Sequence, residues 1–376
     1  MLASFPPMRP LLFLVGILVL IVPEVLRVYY IMPFPGSQED VATDLRQVNI
    51  AYWLHLNIWW VRLIGLALVV VPCLHYIRRG NGWKRLAVVV PIALAATVFY
   101  LFNFKFMADK MFLPVEQKVM TSSPGSFSRG EGSALVLGVE RNGDARAYPI
   151  ELIGYHHQVL DTIGSEPVMI TYCTVCRTGR AFSPVVNGQS EAFRLVGMDH
   201  YNAMFEDSRT KSWWRQATGE CIAGPLKGQV LTEVPAQQMT LAEWSSAHPN
   251  TLVLQPDPGF LDQYDGLKDY DEGTIASSLE SRDTASWQPK SWVVGVVHNG
   301  VARAYDWDDF VEHCIADTLG GESIIICRGA GGPYGQLPKR HPVHSLRCYQ
   351  EFWHSWHTFH PNTTRYEKKP LSRSGE

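Results

Sequence analysis

"VLGVERNGDARAYPIELIGYHHQVLDTIG", residues 136–164, recurs as "VVGVVHNGVARAYDWDDFVEHCIADTLG", residues 293–320. In each copy an Asn-Gly pair, Asn142-Gly143 or Asn299-Gly300, divides two β-rich runs, and the second run closes on "ARAY". Asn-Gly between such runs is the strongest short-range hairpin cue, because a type I′ turn needs positive φ at both central residues. A third such pair is Asn187-Gly188 in "AFSPVVNGQSEAFRLV". His156 and His313 each follow the tyrosine of "ARAY" by eight residues, and each copy then runs into a strand ending in cysteine, Cys173 or Cys327. A second echo pairs "AEWSSAHPNTLVL" from Ala242 with "HSWHTFHPNTTRY" from His354.

These repeats predict a β-rich α+β domain of two related lobes, an internal duplication with a shortened second copy. Lobe one is expected over 111–255 and the second lobe over 291–366, with an irregular connector at 256–290 and a polar tail at 367–376. Helical pieces are few, around 149–160, 240–247, 307–316 and 349–359.

Ahead of the domain lie three apolar stretches, about 11–32, 58–77 and 86–104, in a membrane region spanning 1–107. Each approaches the ~20 residues that carry a helix across a ~30 Å hydrocarbon core. The first lacks a small-x-small cleavage site and reads as a retained helix. Glu24 and Arg27 lie three apart on it and can pair, while Arg62 is placed to snorkel to the interface. Arg78, Arg79, Lys84 and Arg85 crowd the second loop and Arg9 precedes the first span, whereas the first loop is acidic apart from Arg46. The positive-inside rule then puts the N-terminus in the cytoplasm of a bacterium, the helices in its inner membrane, and the C-terminal domain in the periplasm or outside the cell.

A formal net charge of −3 gives no sign of a nucleic-acid partner. No Walker loop, dinucleotide fingerprint, G-x-S-x-G elbow or H-E-x-x-H occurs, so no nucleotide is expected. The expected partners are the lipid bilayer and an extracytoplasmic protein or small molecule.

Chemistry concentrates in "VMITYCTVCRTGRAF", residues 168–182. Cys173 and Cys176 in a C-x-x-C can chelate a metal, cycle between dithiol and disulfide, or form a structural staple in an oxidising compartment. Arg177, not histidine, follows the second cysteine, which rules out a c-type haem site. Copper or zinc would suit thiolate plus imidazole, with His156 and His157, and also His200 and Cys221, as further ligands within lobe one. His354, His357 and His360 fall three apart and spread over one helix face, with His341 and His344 nearby. The segment from Ser212 mixes aromatic and polar residues that can line a ligand pocket, namely Asp207, Ser212, Trp214, Gln216, Thr218 and Glu220. Asp262, Asp265, Asp269 and Asp271 lack calcium-loop spacing and read as a solvated run. His55 and His75, twenty residues apart, cannot share an ion.

"TYC-x-x-C-x-TG", then "DSRTKSWWRQATGECIAGPLKGQVL", then "W-x-x-x-HP-x-T-LVL" together resemble an uncharacterised prokaryotic family of unknown function, DUF3179, over roughly residues 130–366. The resemblance implies no established activity. The family pattern has Tyr-Asp where this chain has Glu206-Asp207, and Ala where it has Cys221.

Overall fold

The computed structural model describes residues 8–32, 45–122, 132–310, 314–329, 333–336 and 345–368. The expected His313, His341 and His344 lie outside these residues. Three helices, α1 (Met8–Tyr29), α2 (Arg46–Arg79) and α3 (Gly82–Phe104), are long and apolar enough to cross a membrane. α2 starts well before the expected residue 58. Its first turns leave the apolar span and dock on the β-rich domain, where Val48 and Ala51 pack with Ile31 against Met204, Trp213 and Ile222. Arg62 does not snorkel. It is buried, and its Nε donates to Glu24 Oε1 at 2.6 Å. The expected Glu24–Arg27 pair forms at 3.1 Å.

Several sheets follow. The quoted stretch folds as the hairpin Leu135–Arg141/Asp144–Pro149, flanked by Ala236–Thr240 antiparallel on one side and Leu252–Leu254 parallel on the other. Its echo folds as Trp292–His298/Val301–Asp306, flanked by Cys348–Phe352 antiparallel and Thr364–Arg365 parallel. All three Asn-Gly pairs have positive φ at both residues.

The correspondence extends to side chains. Helices Leu241–Ala247 and Trp353–Phe359 each lay a tryptophan over the first strand of their hairpin. A Cβ on Gly138 would meet the Trp244 ring at 2.3 Å, and one on Gly295 would meet Trp356 at 2.1 Å, so each indole needs a glycine beneath it. Trp244 Nε1 donates to Thr251 Oγ1 at 2.8 Å, and Trp356 Nε1 to Thr363 Oγ1 at 2.9 Å. His248 and His360 stack on these indoles at 4.0 and 3.9 Å. Tyr148 and Tyr305 each donate to an aspartate of the next hairpin, Asp161 at 2.7 Å and Asp317 at 2.8 Å.

The helix expected over 307–316 is only a short turn at Trp307–Phe310, and Cys314–Leu319 is a strand; two further features differ from the sequence reading. Cys173 and Cys327 do not correspond. Strand Glu166–Cys173 pairs with Gln158–Ile163, and Glu322–Arg328 with Cys314–Leu319, so Cys327 opposite Cys314 occupies the place of Thr171 opposite Gln158. Cross-strand neighbours, Cys314 and Cys327 are joined by a disulfide. The stretch 256–290 is also more than a connector. It contributes the short helix Leu261–Asp265 and sends Phe260, Tyr264 and Tyr270 into the lobe-one core. Hydropathy hides this because those aromatics are spaced among aspartates.

Lobe one also carries a sheet of Phe193–Asp199, Asn202–Asp207, Trp213–Arg215 and Cys221–Ala223. This sheet reaches from the helices at Trp213 to the cysteine turn at its Asp199–Asn202 tip.

Candidate functional site

Strand Glu166–Cys173 turns back into Thr178–Phe182 through Thr174, Val175, Cys176 and Arg177. Arg177 takes a left-handed φ of 55° to complete the turn, and its guanidinium lies 3.8 Å from the Trp292 ring centre. That contact ties the turn to the second lobe. So does Phe352 N–H, which donates to Cys176 O at 2.9 Å.

Both Cys173 and Cys176 are free thiols, fully buried. Their Sγ atoms lie 3.4 and 3.2 Å from one acceptor, the carbonyl of Tyr201. The carbonyl points inward because His200 and Tyr201, at the tip of the Phe193–Asp199/Asn202–Asp207 hairpin, take φ of 48° and 63°. The Tyr201 ring meets the His354 ring edge-on at 6.2 Å, and these two partly exposed residues cover the thiols.

His354 is the second residue of the second-lobe helix Trp353–Phe359. Its Nδ1 lies 2.8 Å from Pro289 O and so carries the proton, leaving the Nε2 lone pair 3.9 Å from Cys176 Sγ. Burial and the nearby Lys290 ammonium bring His354 down to about 3, so the ring is neutral. Lys290 Nζ donates to Val175 O at 2.7 Å. Burial lowers the lysine, while the two thiols oppose that shift.

The two thiols are not equivalent. Burial raises both. At Cys173, hydrogen bonds from the Cys176 side chain and from backbone N–H groups outweigh burial and hold the thiol below its ordinary value. Burial and the neighbouring Cys173 push Cys176 well above it. Below the pair, Thr178 Oγ1 and Ser355 Oγ approach to 3.3 Å, and Ser355 donates to Glu351, which pairs with the buried Arg180.

The other expected ligands are engaged elsewhere. His156 bonds Leu113 O and the Tyr264 hydroxyl, both at 2.6 Å. His157 bonds Tyr172 O at 2.9 Å and lies against Phe112; burial lowers it to about 4. His200 pairs with Asp199 at 2.6 Å. The Cys221 thiol contacts Ala223 O, and burial pushes it up to about 11. Of the three helical histidines only His354 faces the cysteines; His357 stacks on Trp353 and His360 on Trp356. Among the described residues no three His, Cys, Asp or Glu side chains form a group able to hold a metal ion.

The polar residues around Ser212 brace the sheet. Asp207 accepts from Thr210 N–H, Ser212 N–H and Trp214 Nε1. Gln216 donates to Thr171 Oγ1 and Thr178 O, and accepts from Asn202. Leu226 N–H donates to Ser212 Oγ, and Glu220 N–H to Thr218 Oγ1. Glu220 turns outward to Arg215 at 3.2 Å. Sequence reasoning missed Tyr201 and Lys290 altogether. It singled out His354 only as one of a histidine triplet.

The family model "Protein of unknown function (DUF3179)" matches residues 122–334, more than half of the chain, and the chain belongs to that family. No curated protein matches. No solved structure matches.

Proposed function

We propose that this protein is a membrane-anchored module for thiol–disulfide exchange outside the cytoplasm, with Cys173 attacking and Cys176 resolving. The observation that carries the reading is the convergence of two free, buried thiols on the Tyr201 carbonyl. The Cys173 thiolate attacks one sulfur of a partner disulfide, and the partner's other sulfur leaves as thiolate. Cys176 then loses its proton and attacks Cys173 Sγ. An intramolecular disulfide forms and the partner departs as a dithiol, two electrons and two protons richer. The neutral His354 Nε2 faces the Cys176 thiol and stabilises its orientation. Access requires the Asp199–Asn202 tip to lift.

The basic loop between α2 and α3 supports a cytoplasmic N-terminus and a domain on the far side of the membrane. The matched hairpins, tryptophans and Tyr–Asp bonds support descent of both lobes from one duplicated unit.

A second reading, copper or zinc on the same two thiols, draws on His354, whose Nδ1–H is fixed on a carbonyl as in metal-ligating histidines. It needs a closer third ligand than the described residues supply.

The test uses the full chain in native membranes, equilibrated across glutathione redox buffers and then alkylated. The wild type should pass reversibly between dithiol and disulfide, and Cys176→Ser should trap a mixed disulfide through Cys173. A pair reduced at every poise, with no trapped adduct, overturns the exchange reading. Stoichiometric copper or zinc lost on Cys173→Ser would establish the metal instead.

A further inference from the structure

The sheet that carries Tyr201 has Phe193–Asp199 as an edge strand. Residues of the helical region hold this strand at both ends, in different ways. At the end far from the thiols Arg194 has three polar partners: Glu206 Oε1 at 2.9 Å, Asp109 Oδ2 at 3.4 Å and His55 Nε2 of α2 at 3.1 Å. At the end near the thiols the hold is one bond, from Met198 N–H to Ile31 O at 2.6 Å, three residues before Tyr201. Ile31 lies two residues past the end of α1. Gly197 permits this approach, because a Cβ there would lie 2.3 Å from Ile31 O.

Between the two holds the ladder is broken. Leu195 pairs with Phe205 and Gly197 with Met204, so Val196 is an extra, unpaired residue. Such a β-bulge disrupts the ladder locally and bends its strand. The strand thus has a pivot at Arg194, a flexure at Val196 and a latch at Met198, with Tyr201 as the lid beyond. The bonds of Asp199 to Arg215 and of Asn202 to Gln216 fasten the tip to its own sheet and travel with it. Ile31 belongs instead to the helices. Glu24 of α1 accepts from Arg62 of α2 at 2.6 Å and from Asn103 of α3 at 3.1 Å, which fixes α1 against its neighbours. Val28 and Met32, on either side of Ile31 in sequence, share one apolar cluster with Met198, Cys173 and Cys176.

We propose that the exit of α1 is an autoinhibitory latch on the thiol site. While Ile31 holds Met198 the tip stays over Cys173 and Cys176, and moving α1 off the strand opens them. The inference rests on the exchange reading, in which the tip must lift before a partner reaches Cys173. It makes the seat of a membrane helix the regulator of that access.

The experiment treats the full chain in native membranes with N-ethylmaleimide and follows each cysteine peptide over time by mass spectrometry. Gly197→Ala sets a methyl group against Ile31 O and breaks the latch without altering a cysteine, Tyr201 or His354. Labelling of Cys173 and Cys176 should rise about fivefold, the equilibrium effect of one backbone hydrogen bond, with Cys221 and Cys348 unchanged. Cys221 is buried on the strand at the opposite edge of the same sheet, and Cys348 lies in the second lobe, so the two report unfolding of the sheet and of the domain. Unchanged labelling of Cys173 and Cys176 overturns the latch. So does an equal rise at Cys221, which would mean that the sheet has come apart. If Gly197→Ala does not fold, Ile31→Ala decides by the same readings, since it withdraws the side chain packed with Val196 and Met204 and introduces no clash. Labelling reads access and not exchange. A pair that labels faster yet forms no mixed disulfide with glutathione would overturn the exchange reading and leave the latch standing.

Discussion

Each lobe places two cysteines at or just beyond its second hairpin, to opposite ends. In the second lobe Cys314 and Cys327 face each other across a ladder and are joined by a disulfide. In lobe one Cys173 ends a strand and Cys176 lies in the turn after it; both stay free and share the Tyr201 carbonyl. The strand frame is the same, but the cysteines occupy different places in it. Residues opposite each other on a ladder are joined as a staple, whereas those at a strand end and in the turn after it stay free thiols.

The largest effect should come from breaking the frame that makes the comparison possible. Trp244 and Trp356 are both buried, each over a glycine and each bonded to a threonine. Trp356→Ala and Trp244→Ala should each cost about 3–5 kcal/mol, the range for emptying a core aromatic site. Pulse proteolysis in urea of the full chain in micelles measures both. A loss at Trp356 well below that at Trp244 would show that the second lobe does not depend on the shared frame.

Next comes the staple itself. Cys314→Ser with Cys327→Ser should cost about 2–4 kcal/mol for a loop of this size, and reductant should reproduce the loss in the wild type. Cys173→Ser with Cys176→Ser should cost nearer ~1 kcal/mol, since a hydroxyl keeps a donor on the side of Tyr201 O, and under the proposed exchange it should abolish adduct formation while leaving the staple's response to reductant. If the two double variants were equally destabilised, the division between staple and reactive pair would fail.

The frame was legible in sequence and the site was not. Two Asn-Gly hairpins and two tryptophan helices repeat over short windows, so pattern reading reaches them. The C-x-x-C was visible for the same reason. Its surroundings were not, because they converge from far along the chain. His354 and Cys176 are 178 residues apart in sequence, and Lys290 and Val175 are 115 apart. His156 and His157 drew attention by lying near the cysteines in sequence, yet their rings are bound to Leu113, Tyr264 and Tyr172. Lobe docking, which no local period encodes, chose His354.

Acid should probe that docking. His354 is neutral in the fold, lowered to about 3 by burial and Lys290. An unfolded histidine, with its ordinary value near ~6.5, binds protons that the folded one refuses. Stability is therefore full above about pH 6.5 and falls as pH drops from there toward 3. His157 and His360, each lowered to about 4, act in the same direction. His354→Gln should flatten the urea midpoint against pH between 6 and 4, in part, because His156, His157 and His360, all lowered by burial, remain. An unchanged slope would mean that His354 is not buried against the thiols.

The smallest effect belongs to another matched pair. Arg141 binds Glu166 in lobe one, and His298 binds Glu322 at 2.9 Å at the corresponding place in the second. Glu166 and Glu322 have side chains 44% and 33% exposed, where solvent screens the charge and side-chain ordering offsets most of the gain. Glu166→Gln and Glu322→Gln should therefore leave the urea midpoint within experimental scatter at pH 8. A sizeable loss at pH 8 from either substitution would mean that these ion pairs hold the hairpins in register. No change would leave that task to the Asn-Gly turns and the tryptophans.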